Sequence, residues 1–129
     1  MIRKFEAEKD LLIFADKEQL QRVFVNLLKN AVQAIDRMED GRIIVSTSQI
    51  NDSVLVEIED NGRGIPPELQ DKLFSPNFTT KSAGMGLGLA ISKGIIETID
   101  GKIWFETKHH EGTKFFVELP LYRSYDSNN

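Results

Sequence analysis

The chain has 129 residues, a length typical of one domain with a single hydrophobic core. Its 40% hydrophobic and 28% charged residues are ordinary for a globular protein, and its net charge of -4, without a basic run, does not favour nucleic acid as a partner. The absence of cysteine excludes disulfides and thiolate metal sites and is compatible with an intracellular setting without proving it. No segment approaches the ~20 apolar residues that cross a bilayer, so we expect a soluble domain without direct membrane insertion.

The first half of the chain predicts a strand, a long helix and a hairpin. The apolar run at residues 11–15 suits a short strand, and Asp16 follows it where a helix N-cap is expected. Apolar side chains recur at helical spacing from residue 17 to about residue 38, which predicts a long helix with one buried face. Residues 42–50 and 53–60 predict two strands joined by an Asn-Asp turn.

The second half predicts a short helix, a loop, a longer helix and a second pair of strands. Proline is tolerated in a first helical turn, so residues 66–73 predict a short helix. Residues 74–85 have no clear period and predict a mobile loop, whereas residues 86–99 return to helical spacing. Two further strands are predicted at residues 102–107 and 113–119.

Together these elements predict a two-layer α/β (α+β) sandwich, with helices on one face of a mixed, mostly antiparallel sheet. No repeat or linker divides the chain, so we expect one domain with its core at about 11–121 and a polar tail at 122–129. His109 and His110 fall in the predicted turn between the last two strands, and we interpret them as exposed loop residues.

Two asparagines share one side of the long helix. Asn26 and Asn30 are four residues apart, and at about 100° per residue Asn30 lies about 90° from the centre of the apolar stripe. From this edge of the buried face its carbonyl could enter a cleft and bind magnesium, which prefers hard oxygen ligands. The pair alone does not decide between a metal ligand and two surface amides.

A carboxylate continues a buried row of the second strand. Val54, Val56 and Ile58 alternate toward one face, and Asp60 falls on that same face. Because a buried carboxylate needs partners, Asp60 could accept a hydrogen bond from the exocyclic amine of adenine. The alternative is that the Asp-Asn-Gly sequence simply forms a turn.

Two glycines and an isoleucine follow this aspartate. Without β-carbons, Gly62 and Gly64 allow the backbone to approach a flat ligand closely, and Ile65 could cover one face of its ring. Turn chemistry alone could also explain both glycines, although so many special positions in a short stretch favour a site.

The predicted loop carries aromatic, hydroxyl and basic side chains. Phe74 and Phe78 are candidates to anchor a lid, while Thr79, Thr80 and Lys81 could meet phosphate oxygens when the lid closes. A surface loop pinned by two core aromatics explains the same residues.

Alternating glycines at positions 84, 86 and 88 open the second long helix. Backbone N–H groups at a helix N-terminus attract phosphate, and glycine permits its close approach. The pattern is neither the dinucleotide fingerprint nor a Walker loop. Close helix packing is the alternative explanation.

In this order, the segments resemble the ATPase domain shared by sensor histidine kinases, DNA gyrase, Hsp90 chaperones and MutL. Residues 21–31 resemble the N box of that family, 60–65 its first glycine box, 73–81 its F box and 84–89 its second glycine box. The resemblance extends from about residue 15 to residue 120, and the order and spacing of all these boxes make it strongly specific.

The resemblance implies specific contacts to Mg-ATP. Asn30 would bind the magnesium that bridges the phosphates, Asp60 would bond the adenine amine, and Thr113 would support the adenine site through water. Lys29 and Lys81 would position the phosphates. Further ATP contacts are implied at Asn26, Gly62, Gly64, Ile65, Phe74, Thr79, Thr80, Lys81, Gly84, Met85, Gly86, Leu87 and Gly88.

Asn26 distinguishes among branches of the family. Hydrolytic members place at this position a glutamate that activates water, and an amide cannot take that proton. The resemblance therefore implies a histidine kinase that donates the γ-phosphate to a histidine on a separate dimerisation and phosphoacceptor domain, and indirectly serves a response regulator. No acceptor histidine is matched in this chain, and Gln33 departs from the lysine of many sensor kinases. The alternatives are a non-catalytic nucleotide-sensing module and a hydrolytic ATPase.

Overall fold

The computed structural model describes residues 15–76 and 89–121. The predicted strand at 11–15 therefore lies, except for Ala15, outside the described residues, as does the polar tail at 122–129. The elements in chain order are helix α1 (Lys17–Ala34), a short 3-10 turn (Met38–Asp40), strands β1 (Ile43–Ile50) and β2 (Ser53–Asp60), helices α2 (Pro67–Gln70) and α3 (Leu89–Thr98), and strands β3 (Lys102–Lys108) and β4 (Gly112–Pro120).

The four described strands form one open sheet in the order β1-β2-β4-β3. Every pairing among them is antiparallel, and Ile58 of β2 stands opposite Val45 of β1 and Phe115 of β4. Because side chains alternate between faces, these residues point to one side of the sheet, where they join the hydrophobic core. The predicted two-layer sandwich of helices on a mostly antiparallel sheet is confirmed, and among the described strands no parallel pairing contributes the mixed character that was predicted.

Helices α1 and α3 cover the inner face of the sheet and bury their apolar stripes against it. Val23 and Leu27 of α1 and Ile96 of α3 are fully buried, in one cluster with Val117 of β4. In the parts of the chain that the structure describes, no helix has both the length and the apolarity to span a membrane.

Helix α1 begins where the sequence predicts it but ends earlier. The Asp16 carboxylate accepts hydrogen bonds from the backbone N–H groups of Glu18 (2.9 Å) and Gln19 (3.2 Å), so the predicted N-cap is confirmed. The predicted end near residue 38 is wrong, because the helix stops at Ala34 and Ile35 is extended. Ile35 is nevertheless buried, which is why the apolar period appears to continue past the helix.

A long-range contact explains the early end of α1. The Ala34 carbonyl accepts the backbone N–H of Arg63 (2.8 Å), and the guanidinium of Arg63 donates to the Gln33 carbonyl (2.9 Å) and pairs with Asp36 (2.9 Å). Arg63 thus satisfies carbonyls at the helix C-terminus that lack partners within the helix. The loop after β2 is fixed against α1 as a result.

The remaining boundaries differ from the predictions by a few residues. Helix α2 ends at Gln70, and residues 71–74 form turns instead of continuing the helix. Of the helix predicted at 86–99, the described part is Leu89–Thr98. The exposed turn containing His109 and His110 is confirmed, with His110 in the left-handed region (φ 73).

Candidate functional site

Three polar side chains lie in a row across one end of the sheet. Asp60 of β2 stands opposite Thr113 of β4, which stands opposite Thr107 of β3. All three side chains point to the inner face. A recess of about 380 Å³ at this end of the sheet touches all three residues, and its lining also includes Glu59 and Lys114, whose side chains alternate to the opposite face. We call Asp60, Thr107 and Thr113 the sheet side of the site.

Asp60 is buried, with only 6% of its surface exposed, as the alternation in β2 predicts. Burial raises its pKa above the ordinary value of 3.8, whereas the backbone N–H groups of Gly62 and Thr113 oppose the rise; Glu59 adds a smaller increase and Arg63 a smaller decrease. One carboxylate oxygen accepts the Gly62 N–H at 2.8 Å. The carboxylate therefore has partners in the protein and retains lone pairs for another donor.

The neighbouring asparagine performs the turn function. Asn61 accepts the N–H of Arg42 (2.7 Å) and donates to the carbonyl of Asp40 (2.8 Å), which fixes the loop to the start of β1. Asp60 also bonds Gly62 across the turn, but a turn does not require its carboxylate to be buried. The turn interpretation explains Asn61 fully and Asp60 only in part.

The two glycines of this loop are required by the protein's own backbone. A β-carbon on Gly62 would overlap the carbonyl of Ala34. Gly64 has a positive φ of +73°, and a β-carbon there would overlap the carbonyl of Lys108. The backbone at these glycines therefore lies close to α1 and to the end of β3. A contact between either glycine and a purine stays a prediction.

Thr107 connects the loop to the sheet. Its hydroxyl oxygen accepts the N–H of Ile65 (2.9 Å), and it lies 3.0 Å from the carbonyl of Gly112 and 2.9 Å from the hydroxyl of Thr113. Ile65 is buried, as is Thr113 at 5% exposed. Thr107 is not among the predicted site residues, although it continues the inward-facing row of Ile103 and Phe105.

The helix side of the site consists of Asn26, Lys29 and Asn30 on α1. Asn30 is only 4% exposed, and within residues 15–76 and 89–121 neither its amide oxygen nor its amide nitrogen has a hydrogen-bond partner. The predicted position at the edge of the apolar stripe is thus a buried one. Because Asn30 lies one turn before Ala34, the Arg63 contact brings this side next to the loop that follows Asp60.

The other two helix-side residues are more accessible. Asn26 is half-buried, and its amide donates to the hydroxyl of buried Ser92 on α3 at 3.4 Å. Lys29 is exposed. Both line an open groove of about 640 Å³ between α1 and α3. Ser92 is a further residue that the sequence alone did not single out.

Phe74 lies where the predicted loop begins. Its ring packs against the core with its centroid 6.0 Å from that of Phe105, and the ammonium of Lys93 lies 5.3 Å from its centroid. This position is compatible with the predicted role of Phe74 as the anchor of a lid. The rest of the predicted lid and phosphate loop lies outside the described residues: Phe78, Thr79, Thr80, Lys81, Gly84, Met85, Gly86, Leu87 and Gly88.

The residues present fit a magnesium ion that is held together with a nucleotide. Within the described ranges, no three His, Cys, Asp or Glu side chains cluster into a metal site. Asn30 offers one hard oxygen that lacks a partner there. Magnesium commonly takes one or two protein ligands and completes its shell with phosphate oxygens and water, so a single amide oxygen is sufficient.

Comparison with known proteins points to one family. The family described as histidine kinase-, DNA gyrase B-, and HSP90-like ATPase matches residues 15–123. Sensor protein FixL of Bradyrhizobium diazoefficiens is 39% identical over 110 residues, which are 84% of this chain and 22% of FixL. Signal transduction histidine-protein kinase AtoS of Escherichia coli is 46% identical over 110 residues, or 84% of this chain and 18% of AtoS.

Solved structures agree with these relatives. The nucleotide-free catalytic domain of histidine kinase ThkA superposes with a TM-score of 0.78 at 39% identity, covering 92% of this chain and 77% of that domain. A longer ThkA chain, solved in complex with a response regulator, matches with a TM-score of 0.74 at 35% identity, covering 93% of this chain and 33% of that one. This chain thus spans about a fifth of the length of FixL and AtoS.

Proposed function

The chain belongs to the family of histidine kinase-, DNA gyrase B- and HSP90-like ATPases, and from this premise we propose that it binds Mg-ATP and positions the γ-phosphate for transfer to a histidine on a separate dimerisation and phosphoacceptor domain. The observation that carries this proposal is the buried amide of Asn30, which lacks a partner among the described residues. A buried polar group without a partner costs about 1–3 kcal/mol, and a ligand that satisfies it offsets this cost.

Asp60 holds the adenine end of the nucleotide. Its carboxylate accepts a hydrogen bond from the exocyclic amine, and a bond between a charged acceptor and a donor is worth about 1.5–3 kcal/mol when both are buried. The Gly62 and Thr113 N–H groups hold the carboxylate in position before the base arrives. Ile65, buried beside the same loop, supplies apolar surface near the base.

Asn30 is the residue that would hold magnesium, through its amide oxygen. The ion supplies partial neutralisation of the phosphate charge during transfer. Lys29, exposed on the same helix, adds a mobile positive charge, and Asn26 stands beside it. The threonines, Lys81 and the glycines of residues 79–88 remain predicted phosphate contacts, which the chemistry of hydroxyl, ammonium and helix N-terminal N–H groups supports.

The identity of Asn26 supports phosphotransfer over hydrolysis. Its amide donates to Ser92 and is not a base, so water at this position is not deprotonated by the side chain. The domain then acts by positioning the γ-phosphate in line with an acceptor from another domain. FixL and AtoS are named as a sensor protein and a histidine kinase, which supports the same assignment.

The parent protein supplies what this chain does not. The acceptor histidine lies on the proposed dimerisation domain, and a response regulator receives the phosphoryl group afterwards. The ThkA complex with a response regulator supports this partner class. Because intracellular ATP is the substrate, the domain works in the cytoplasm, whether or not its parent is anchored in a membrane.

Calorimetric titration with a non-hydrolysable ATP analogue, with and without magnesium, tests the binding step. We expect one saturable site whose affinity depends on magnesium. A folded chain that binds no nucleotide would contradict the proposal.

Labelled ATP and a separately supplied dimerisation and phosphoacceptor domain test the transfer step. We expect acid-labile, base-stable labelling of the acceptor, as phosphohistidine requires. Steady phosphate release by the chain alone would instead indicate a hydrolytic ATPase, and binding without either reaction a nucleotide-sensing module.

A further inference from the structure

The C-terminus of helix α1 lacks a cap formed by its own neighbours in sequence. Many helices end in a glycine with left-handed backbone, but the residue that follows α1 is Ile35, which is extended. The last turn of α1 also contains no basic side chain that could bond its final carbonyls. The Ile35 N–H bonds the Val32 carbonyl, which leaves the carbonyls of Gln33 and Ala34 to partners outside the helix.

Arg63 supplies these partners from the loop after β2. Its backbone N–H donates to the Ala34 carbonyl at 2.8 Å, and a terminal nitrogen of its guanidinium donates to the Gln33 carbonyl at 2.9 Å. The same nitrogen lies 2.9 Å from a carboxylate oxygen of Asp36. The positive charge is thus placed at the negative end of the helix dipole, and one distant residue caps α1 with both its backbone and its side chain.

The loop that carries Arg63 is itself held to the sheet. The Arg63 carbonyl accepts the backbone N–H of His110, in the turn between β3 and β4. Gly64, the next residue, packs so closely against the Lys108 carbonyl that a β-carbon would overlap it. The guanidinium therefore extends to α1 from a segment that the sheet holds in place.

This cap lies between the two ends of the proposed nucleotide site. Asn30 precedes Ala34 by one helical turn, and in an α-helix the carbonyl of a residue is bonded by the N–H four positions later. The position of Asn30 therefore depends on the last turn of α1 remaining helical. Asp60 lies on β2, just before the loop, where strand pairing on both sides holds it without the cap.

We propose that Arg63 is a positioning residue that couples the magnesium end of the site to the base end. By capping α1 from the loop that follows Asp60, it holds the Asn30 amide in place relative to a nucleotide seated on the sheet side. The inference rests on the proposed function, because it assumes magnesium at Asn30 and the base at Asp60. Contacts to the base do not need the cap, whereas the affinity that magnesium adds does.

Substitution of Arg63 by methionine tests the proposal, because methionine keeps part of the apolar stem and the backbone N–H but removes the guanidinium. The non-hydrolysable ATP analogue is titrated by calorimetry with and without magnesium. We call the dissociation constant without magnesium divided by that with magnesium the magnesium factor. We expect this factor to fall at least about threefold, the order of one hydrogen bond, while the dissociation constant without magnesium changes by less than about twofold.

Hydrogen exchange in the absence of any ligand gives a second measurement. The backbone amides of residues 32–35 should exchange faster in Arg63→Met than in the natural chain, because an uncapped last turn opens more often. Amides in the middle of β2 should exchange as before, since the sheet does not depend on the cap.

Controls separate the cap from a general effect of charge. Arg63→Lys keeps a cationic donor near the Gln33 carbonyl and should hold the magnesium factor to within about twofold of the natural value. Arg37→Met removes the same charge from an exposed side chain that pairs with Glu39 (3.2 Å), and should leave the factor unchanged. If Arg63→Met does not fold, Arg63→Gln, with a shorter and uncharged polar side chain, replaces it in the same measurements.

The remaining outcomes contradict the inference in distinguishable ways. A guanidinium that attracted the phosphates directly would be missed most when no magnesium neutralises them, so the magnesium factor would rise in Arg63→Met. Equal weakening with and without magnesium would indicate a general structural role. Either result, or an unaltered affinity in both conditions, would overturn the inference while the proposed function stands. A natural chain whose binding does not depend on magnesium, or that does not bind, would overturn the magnesium assignment and the inference together.

Discussion

The two sides of the candidate site differ in how their polar atoms are satisfied. On the sheet side, Asp60, Thr107 and Thr113 are joined to the protein's own backbone and to one another. On the helix side, Asn30 has no partner among the described residues, and Asn26 makes a long contact of 3.4 Å to Ser92. One side is bonded within the protein before a ligand arrives, and the other offers polar atoms of Asn30 that have no partner among the described residues.

The two sides therefore differ in whether their polar groups contribute to the stability of the fold or are available to bind a ligand. Preorganised groups bind with little loss of conformational freedom, so the sheet side is suited to select a base. An unsatisfied buried amide lowers stability, and a ligand that forms hydrogen bonds with it offsets that cost. We therefore expect substitutions on the sheet side to affect fold or recognition according to the contact removed, and substitutions at Asn30 to raise stability while impairing binding.

The largest effect is expected where the sheet side is fastened to the rest of the fold. Gly64→Ala places a β-carbon against the Lys108 carbonyl at a residue with positive φ, so we expect the free energy of unfolding to fall by about 3 kcal/mol or more. Gly94→Ala in α3 meets nothing within 4 Å and should instead stabilise the chain by about 1 kcal/mol. Urea denaturation of both variants measures this contrast, and equal stabilities would show that the loop yields at Gly64.

A substitution at Asp60 should separate recognition from stability. Asp60→Asn keeps an oxygen for the Gly62 N–H but removes the charge, so we expect nucleotide affinity to fall about 100-fold, the order of one charge-assisted bond. Because burial opposes ionisation of Asp60, the melting temperature should stay the same or rise. Nucleotide affinity is measured by calorimetry and the melting temperature by thermal denaturation, on one preparation. A fall in both the affinity and the melting temperature would contradict this interpretation.

The helix side should show the opposite relation between stability and binding. Asn30→Leu replaces a buried amide that has no partner in residues 15–76 and 89–121 by an apolar side chain of similar size, and we expect the free energy of unfolding to rise by about 1–2 kcal/mol. Nucleotide binding should lose its dependence on magnesium. Asn26→Leu, one turn earlier, is the matched control, because that amide is half-buried and already bonded to Ser92. A destabilised Asn30→Leu would mean that the amide has a partner in the native fold.

Among the described residues, local periodicity was sufficient to predict the elements, apart from the end of α1, and the buried positions of Asp60 and Asn30. Alternation along β2 predicts the inward direction of Asp60, and rotation along α1 predicts that Asn30 adjoins the buried face. The N-cap at Asp16 is also a local property. Each of these inferences depends on neighbours within a few positions in the sequence.

Long-range contacts account for what periodicity missed. The end of α1 is set by Arg63, far along the chain from Ala34, so the apolar spacing through Ile35 overestimates the helix. Thr107 becomes important through Ile65, 42 positions earlier, a partner that strand alternation does not identify. The backbone neighbours of Gly62 and Gly64 are equally distant, so the sequence could not distinguish a ligand from the protein's own carbonyls.

The smallest predicted effect, a pH dependence, tests whether the sheet side is strained by its buried carboxylate. The pKa of Asp60 is raised in the fold, chiefly by burial, so below its ordinary value of 3.8 the carboxyl is protonated in both states and burial carries no charge penalty. As pH rises above that value, the unfolded chain releases this proton first, and the stability contributed by Asp60 is lost progressively until pH passes the raised value. Glu59 and Arg63 act on the same carboxyl in opposite directions, and other carboxyls titrate in the same range. The measurement is therefore the difference in free energy of unfolding between the natural chain and Asp60→Asn as a function of pH. Relative to the variant, the natural chain should lose stability as pH rises. A relative gain in stability would mean that the hydrogen bonds from Gly62 and Thr113 outweigh burial.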